Sequence, residues 1–269
     1  MGEVAILGLG AWSDRFADWA ALLSGLRTGS WQSDAPLLPA RLAPRERRRA
    51  PKPVRMAIEV MSQACAMAGR EPDTVATVFS SAMGDMQITD YMCHALAVTP
   101  REISPTRFHN SVHNAPSGYW SIAIGSQAPA SAVSAYRYTA PMALMEAAVQ
   151  VLEEGLPVLV VTQEMAAPVP LKHTCPTDRD FAAALLLAPP DPATEPLASL
   201  IFEVRAASSE WPQLPPDLAG DFADHPGARL LPLLAHIATG AAGMPQRFSY
   251  PLSGRSSLDL EVCAGATNA

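Results

Sequence analysis

Charge is scarce in this chain: 17% of its 269 residues are Asp, Glu, Lys or Arg, against 49% apolar, with a net charge of −7. That apolar share excludes a disordered chain. The acidic balance argues against nucleic acid as a partner. So little charge on an alanine-rich chain leaves much surface to be buried, which points to an oligomer. Cysteine is also sparse. Cys65, Cys93, Cys175 and Cys263 stand far apart without a Cys-x-x-Cys pair, which excludes a disulfide framework or a structural zinc site. No run of about twenty apolar residues is present, so no membrane span is expected. The first ten residues lack a basic segment and their apolar run is short for a signal peptide, so the cytoplasm is the expected location. The length suits one large domain or two small ones with a substantial core.

What is present is an alternation of apolar strands and amphipathic helices. Val4 to Leu9 reads as a buried first strand, and Asp14 to Leu26 as a helix with Phe16, Trp19, Leu22, Leu23 and Leu26 on one stripe. Ser30 to Pro53 is an irregular, proline-punctuated connection. Val54 to Ala68 is a helix closed by Gly69, and Thr74 to Ser80 a strand. Gly84 and Asp85 open a helix running to about Ala97. Pro157 to Gln163 and Phe181 to Ala188 are the clearest buried strands. Leu200 to Arg205 and Ser257 to Cys263 are further strands, and Pro226 to Ala238 is a helix. This β–α alternation predicts a mostly parallel sheet covered on both faces.

Ser104 to Glu154 organises the rest. It reads as a helix, a tight connection, a short buried strand, a sharp bend near Arg137 and Tyr138, and a second helix. A strand that delivers the chain into a helix N-terminus is a common seat for a nucleophile, because the helix dipole stabilises developing negative charge. Tyr-Arg-Tyr-Thr at this bend contains no cysteine and no Gly-x-Ser-x-Gly pattern.

Gly8-Leu9-Gly10 lacks the third glycine of a dinucleotide-binding turn, because Ser13 stands in its place, so a tight strand-to-loop turn is the better account. Arg41 to Arg55 holds seven basic residues and one acid. It either docks an acidic partner or is a solvated loop whose arginines pair with the protein's own acids. His109 and His113, four apart, lack a third metal ligand and read as polar groups at a helix start or a cavity. His173 and Cys175 are neighbours in a proline-rich loop and read as incidental; Cys65 and Cys93 read as buried apolar residues.

These residues resemble the β-ketoacyl synthase family of the thiolase superfamily. More narrowly, the chain is similar to the short ketosynthase-like, chain-length-factor-like proteins of aryl-polyene-type pathways. The resemblance rests on Val4 to Trp12, on Thr77 to Asp85, on Asn114-Ala115-Pro116-Ser117-Gly118 within Ser104 to Gly125, and on Phe181 to Ala188. It implies an α/β thiolase-like fold, layered α-β-α-β-α, with a shortened second half. Residues 1–178 would form the N-terminal ketosynthase-like half and 179–269 the reduced C-terminal half of the same domain. The family's nucleophilic cysteine falls on Arg137 counting from Pro129, or on Tyr138 counting back from Gly155, so the nucleophile is absent under either alignment. The family's two catalytic histidines have no match in the tail, whose histidines are His225 and His236.

The resemblance therefore implies a non-catalytic subunit that needs no cofactor or metal. Its partner would be a catalytic ketosynthase, bound along the strand Ala130, Ser131, Ala132, Val133, Ser134 and Ala135. Phe108, His109, Val112, Tyr136, Arg137 and Tyr138 would border the partner's acyl tunnel. Arg45, Arg47, Arg48 and Arg49 would dock an acyl carrier protein transiently. Two alternatives stand beside this reading: an independent acyltransferase using Cys93, Cys175 or Ser111, or a carrier-protein-binding module without chemistry.

Overall fold

The computed structural model describes residues 2–265 apart from 33, 35, 176, 208, 209, 241 and 242. In chain order it contains β1 (Gly2–Ser13), α1 (Trp19–Thr28), α2 (Pro44–Arg49), α3 (Lys52–Met67), β2 (Ala76–Ser80), α4 (Met86–Val98), α5 (Pro105–His109), α6 (Ala115–Ile124) and β3 (Ala130–Val133). Then follow α7 (Thr139–Glu154), β4 (Val158–Glu164), β5 (Phe181–Ala188), β6 (Ala198–Arg205), α8 (Pro216–Phe222), α9 (Leu231–Thr239), β7 (Pro245–Pro251) and β8 (Ser257–Ala264).

The strands join one sheet in the order β3-β2-β4-β5-β1-β6-β8-β7. Every residue of β4 and β5 is buried, as their unbroken apolar runs require of strands covered on both faces. Alternate side chains divide between two cores. Ala182, Ala184 and Leu186 of β5, with Leu159 and Val161 of β4, pack with Met56, Val60 and Trp120 from α3 and α6. Phe181, Ala183, Leu185 and Leu187, with Val158 and Val160, pack with Leu22, Leu144 and Leu234 from α1, α7 and α9. Each fully buried leucine contributes about 2 kcal/mol.

The expectation of a mostly parallel sheet is not met. Only β2–β3 and β2–β4 run parallel; β1 is antiparallel to both of its neighbours, and β4–β5, β6–β8 and β7–β8 are antiparallel too. A parallel return needs a crossover, usually a helix. Among the described residues between β4 and β5 the chain forms only the short 3-10 turn Val169–Leu171, and β5 comes back beside β4 in the opposite sense. The fold is α/β and thiolase-like, and its shortened second half takes a specific form. Instead of building a second sheet, β6, β8 and β7 extend the first across β1, so the described residues show one sheet with helices on both faces.

Gly8 and Gly10 do not form a turn. Both lie inside β1, where a Cβ would stand 2.0 Å from the carbonyl oxygens of Ala64 and Val60 in α3. Their lack of a side chain lets the helix backbone lie directly on the strand. Cys65 is buried as expected, whereas Cys93 is exposed on α4, because the buried residues of that helix are Met86, Ile88 and Ala95. One element lies where an irregular connection is expected, and α8 and β7 fall in segments to which the sequence pattern assigns none. Helix α2 forms within the basic stretch, started by Pro44 in its first turn, and β7 pairs with β8 through a run too polar to read as a strand. No described helix is long and apolar enough to cross a membrane.

Candidate functional site

The parallel strands β2, β3 and β4 place their carboxyl ends side by side, the position at which open α/β sheets hold their sites. Strand β3 is half-exposed, not buried: Ala130 and Ala132 are exposed, Ser131 and Val133 half-buried, and β2 is its sole strand neighbour. Ser134 and Ala135 carry the chain into a 3-10 turn, Tyr136–Tyr138, and directly into the sixteen-residue α7. Tyr136 has φ 52°, a left-handed conformation that costs a non-glycine residue roughly 1–3 kcal/mol. The surrounding structure holds it there. Ala135 N donates to Thr139 Oγ1 at 2.8 Å, and that hydroxyl donates to the Tyr136 carbonyl at 2.7 Å. Tyr136 Oη donates to the Thr174 carbonyl at 3.3 Å. Strand, left-handed residue and helix start together make a bend suited to presenting a nucleophile, and the side chains there are Tyr136, Arg137 and Tyr138.

Beneath the bend lies a buried carboxyl. Glu164, the last residue of β4, receives hydrogen bonds from the Ala82 and Met83 amides and the Ser81 side chain. Burial outweighs these donors and pushes its pKa up to about 8. The loop it grips supports two neighbours. Ser134 Oγ donates to the Ala82 carbonyl at 3.2 Å, and His113 Nε2 lies 2.9 Å from the Ser81 carbonyl. Across Gly227, where an added Cβ would meet Glu164 Cγ at 3.2 Å and His225 Cε1 at 3.4 Å, stands the buried His225. Its Nδ1 accepts from Ala228 N at 3.1 Å, which leaves the proton on Nε2 to be donated to the Arg179 carbonyl at 3.1 Å. Burial pushes its pKa down to about 4, so this imidazole is neutral and both nitrogens are engaged. His225 is therefore a structural group and no catalytic base.

The six residues expected at the tunnel fall into two groups on either side of the Ser81–Ala82 backbone. Tyr136, Arg137 and Tyr138 form the bend. Phe108, His109 and Val112 are exposed in and after α5. His109 and Val112 line a groove of about 730 Å³, together with the buried Leu42, with Tyr119 and Ile122, and with Arg41 and Arg49. The groove exists because α2 lies opposite α6, and Gly118 on α6 leaves open space where a side chain would stand. Ile122 is 81% exposed.

The basic stretch is not neutralised by the chain's own acids. Of its seven basic residues only Lys52 forms an ion pair among the described residues, with Asp180. Arg47 is half-buried, and its Nη2 donates to the Leu42 carbonyl at 3.0 Å. Arg45, Arg48 and Arg49 are exposed on α2.

Of the alternative nucleophiles, Cys93 is exposed on α4, and Ser111 and Cys175 find no activating geometry. The Ser111 hydroxyl donates to the Phe108 carbonyl at 2.8 Å on the surface. Cys175 is buried, its thiol pKa raised by burial, and its sulfur lies 3.8 Å from Thr177 Oγ1. No cluster of three or more His, Cys, Asp or Glu able to hold a metal occurs among the described residues; His109 faces the groove, away from the His113–Ser81 contact.

Sequence reasoning missed Glu164, Trp211 and Arg229. Trp211 stacks on Tyr138, ring centres 6.0 Å apart at 20°, and Arg229 lies 4.5 Å from the same indole. The one available signal was a lone tryptophan in a polar, proline-rich connection, where nothing local buries it.

Residues 18–214 match the family described as beta-ketoacyl synthase, N-terminal domain. No curated protein matches the chain. Among solved structures, a chain of the ketosynthase (ApeO) in complex with its chain length factor (ApeC) from Xenorhabdus doucetiae is similar, with 21% identity and a TM-score of 0.68, over 97% of this chain and 99% of that one. The ishigamide ketosynthase/chain length factor gives 15% identity and a TM-score of 0.77, over 98% and 100%. A type II polyketide synthase acyl-carrier protein in complex with its hexaketide-bound ketosynthase (AntDE:AntF) gives 16% and 0.64, over 77% and 70%.

Proposed function

The chain belongs to the beta-ketoacyl synthase N-terminal domain family, and from that premise we propose that it is a non-catalytic, chain-length-factor-like subunit. It pairs with a catalytic ketosynthase and shapes that partner's acyl tunnel, in polyene, polyketide or fatty-acid-like synthesis. The observation that carries this reading is the bend. It has the strand, left-handed residue and helix start of a nucleophile site, yet it presents Tyr136, Arg137 and Tyr138. The whole-length likeness to chains from ketosynthase–chain length factor structures supports it.

The two sheet edges favour pairing along β3. Strand β7 begins and ends with proline and carries an exposed Arg247, devices that blunt an edge. Strand β3 is short, made of Ala, Ser and Val, and carries neither proline nor charge, so a partner strand can approach closely. Ala130 to Ala135 form that interface in this reading. Helix α6, which packs beside β3, leaves Ile122 exposed, and the segment before it exposes Phe108. Such patches mark a contact surface.

The groove beside Val112 supplies this chain's part of the tunnel. Val112→Trp narrows it from a position outside β3, so the reconstituted pair is expected to release products at least one extension step shorter while pairing as before. Mass spectrometry of the released chains reads this; an unchanged distribution removes Val112 from the wall. A protein that purifies as a stable monomer and labels with an acyl thioester would refute the subunit reading itself.

Carrier protein docks on α2 in this reading. Arg45, Arg48 and Arg49 project without acidic partners, whereas Arg47 is tied to Leu42 and contributes less. Reversing Arg45, Arg48 and Arg49 to Glu is expected to weaken carrier-protein binding by about tenfold or more at low salt, because exposed charges steer association most strongly there. Titration calorimetry that shows equal affinity at low salt would exclude α2 as the docking face.

A further inference from the structure

The second half of the chain does reach the bend, and it brings there an aromatic ring and a cation. Trp211, in the connection between β6 and α8, lies nearly parallel to Tyr138, with ring centres 6.0 Å apart at 20°. Arg229, in the 3-10 turn Gly227–Leu230 that precedes α9, sets its guanidinium 4.5 Å from the same indole. The Arg229 side chain is 12% exposed. Its ion pair with Asp224 is long, at 3.6 Å, and its Nε has no hydrogen-bond partner. The guanidinium is thus held between the Asp224 carboxylate and the face of the indole. The indole is in turn held by groups from two separate elements, the start of α7 and the turn before α9.

Tyr138 is one of the two positions on which the family's nucleophile falls. An acyl chain approaching that position from this chain's own side would have to lie against Tyr138, and the indole already stands there. Two stacked rings at this separation leave no gap for a methylene chain. The groove at Val112 stays open while Trp211 covers one face of Tyr138; Tyr136 and Arg137 beside it remain exposed.

The geometry points to Trp211 as a built-in seal: it closes this chain's vestigial half-site, so that acyl chains are confined to the partner's tunnel and to the groove. This rests on the subunit reading above and names a specificity-determining residue for it. Arg229 is the positioning residue that holds the seal, and no bond is made or broken at either.

The test compares Trp211→Ala with Trp211→Phe in two settings. On the isolated chain, binding of cis-parinaric acid, a fluorescent C18 fatty acid, is expected to strengthen by about tenfold or more in Trp211→Ala, while Trp211→Phe stays near the parent. The groove is common to all three proteins, so the difference reports the bend. In the reconstituted pair, Trp211→Ala is expected to shift products to longer chains, and Trp211→Phe to restore the parental length. A Trp211→Ala protein with a cooperative melt that binds the probe no better than the parent and pairs without lengthening the product overturns the seal and leaves the subunit reading intact. If the parent chain pairs with no ketosynthase, that reading falls, and the probe measurement alone decides whether the bend is sealed. Should Trp211→Ala fail to fold, Trp211→Leu and Arg229→Gln loosen the stack with most of its volume kept, and the same outcomes apply to them.

Discussion

Ala132→Lys is expected to abolish copurification with a catalytic ketosynthase while the isolated chain remains folded. Ala132 is an exposed position of β3, and its backbone pairs with Phe79 of β2. In the free chain a lysine there extends into water and disturbs nothing in the core. In a sheet continued across a dimer the ammonium would be carried into an interface of small side chains with no acid to meet it. Burying an unpaired charge costs several kcal/mol, and about 3 kcal/mol already means more than a hundredfold loss of affinity. Light scattering on the mixture and a thermal melt of the variant alone separate lost pairing from lost folding. Ser131→Thr is the control, because Ser131 is turned inward, with its Oγ accepting from Gln150 Nε2 of α7 at 3.5 Å. Normal pairing of Ala132→Lys would place the interface elsewhere.

The second large effect belongs to Glu164. Its pKa rises from 4.5 to about 8 on folding because the carboxyl is fully buried. The stability this contributes is fully present below pH 4.5 and is lost as pH rises towards 8, because the unfolded chain releases the proton first. Glu164→Gln keeps the site neutral, and its carbonyl can still accept from the Ala82 amide. The variant is therefore expected to be more stable than the parent at pH 8, by an amount on the order of 2–4 kcal/mol. Near pH 4.5 the two should converge. His225 acts in the opposite sense: its pKa falls from 6.5 to about 4, so its contribution is present above pH 6.5 and lost as pH falls through 4. The two limbs overlap and offset each other between pH 4.5 and 6.5, so the parent should be most stable there, and Glu164→Gln should keep only the acid limb. Urea denaturation from about pH 4 to 9 reads both. Parallel curves for parent and variant would mean that Glu164 is already ionised in the fold. The consequence reaches assembly, since the loop gripped by Glu164 supports Ser134 at the end of the pairing strand.

Sheet and helix identity was legible wherever the apolar pattern was strong. Phe181–Ala188 stands as a strand with the expected bounds, and α3 and α7 follow their stripes, because burial of one face is a local property of spacing. Strand β7 was not legible: Pro245, Gln246 and Arg247 are exposed at a sheet edge, where a strand needs no apolar face. Strand direction was not legible either. It depends on whether the connection after β4 can form a crossover helix, and the proline-rich segment there forms only a short turn.

The bend divides along the same line. The missing thiol at Arg137 and Tyr138 and the basic stretch in an acidic chain are facts of residue identity. Packing in three dimensions was needed to bring α3 onto β1 at Gly8 and Gly10, to bury Glu164 under the loop after β2, and to set Trp211 and Arg229 against Tyr138. Each of these joins groups far apart in the chain. Whether a tryptophan in a polar connection finds a ring, or a glutamate ending an apolar strand finds amides, depends on which surfaces the folded sheet brings together. Local periodicity carries no record of that.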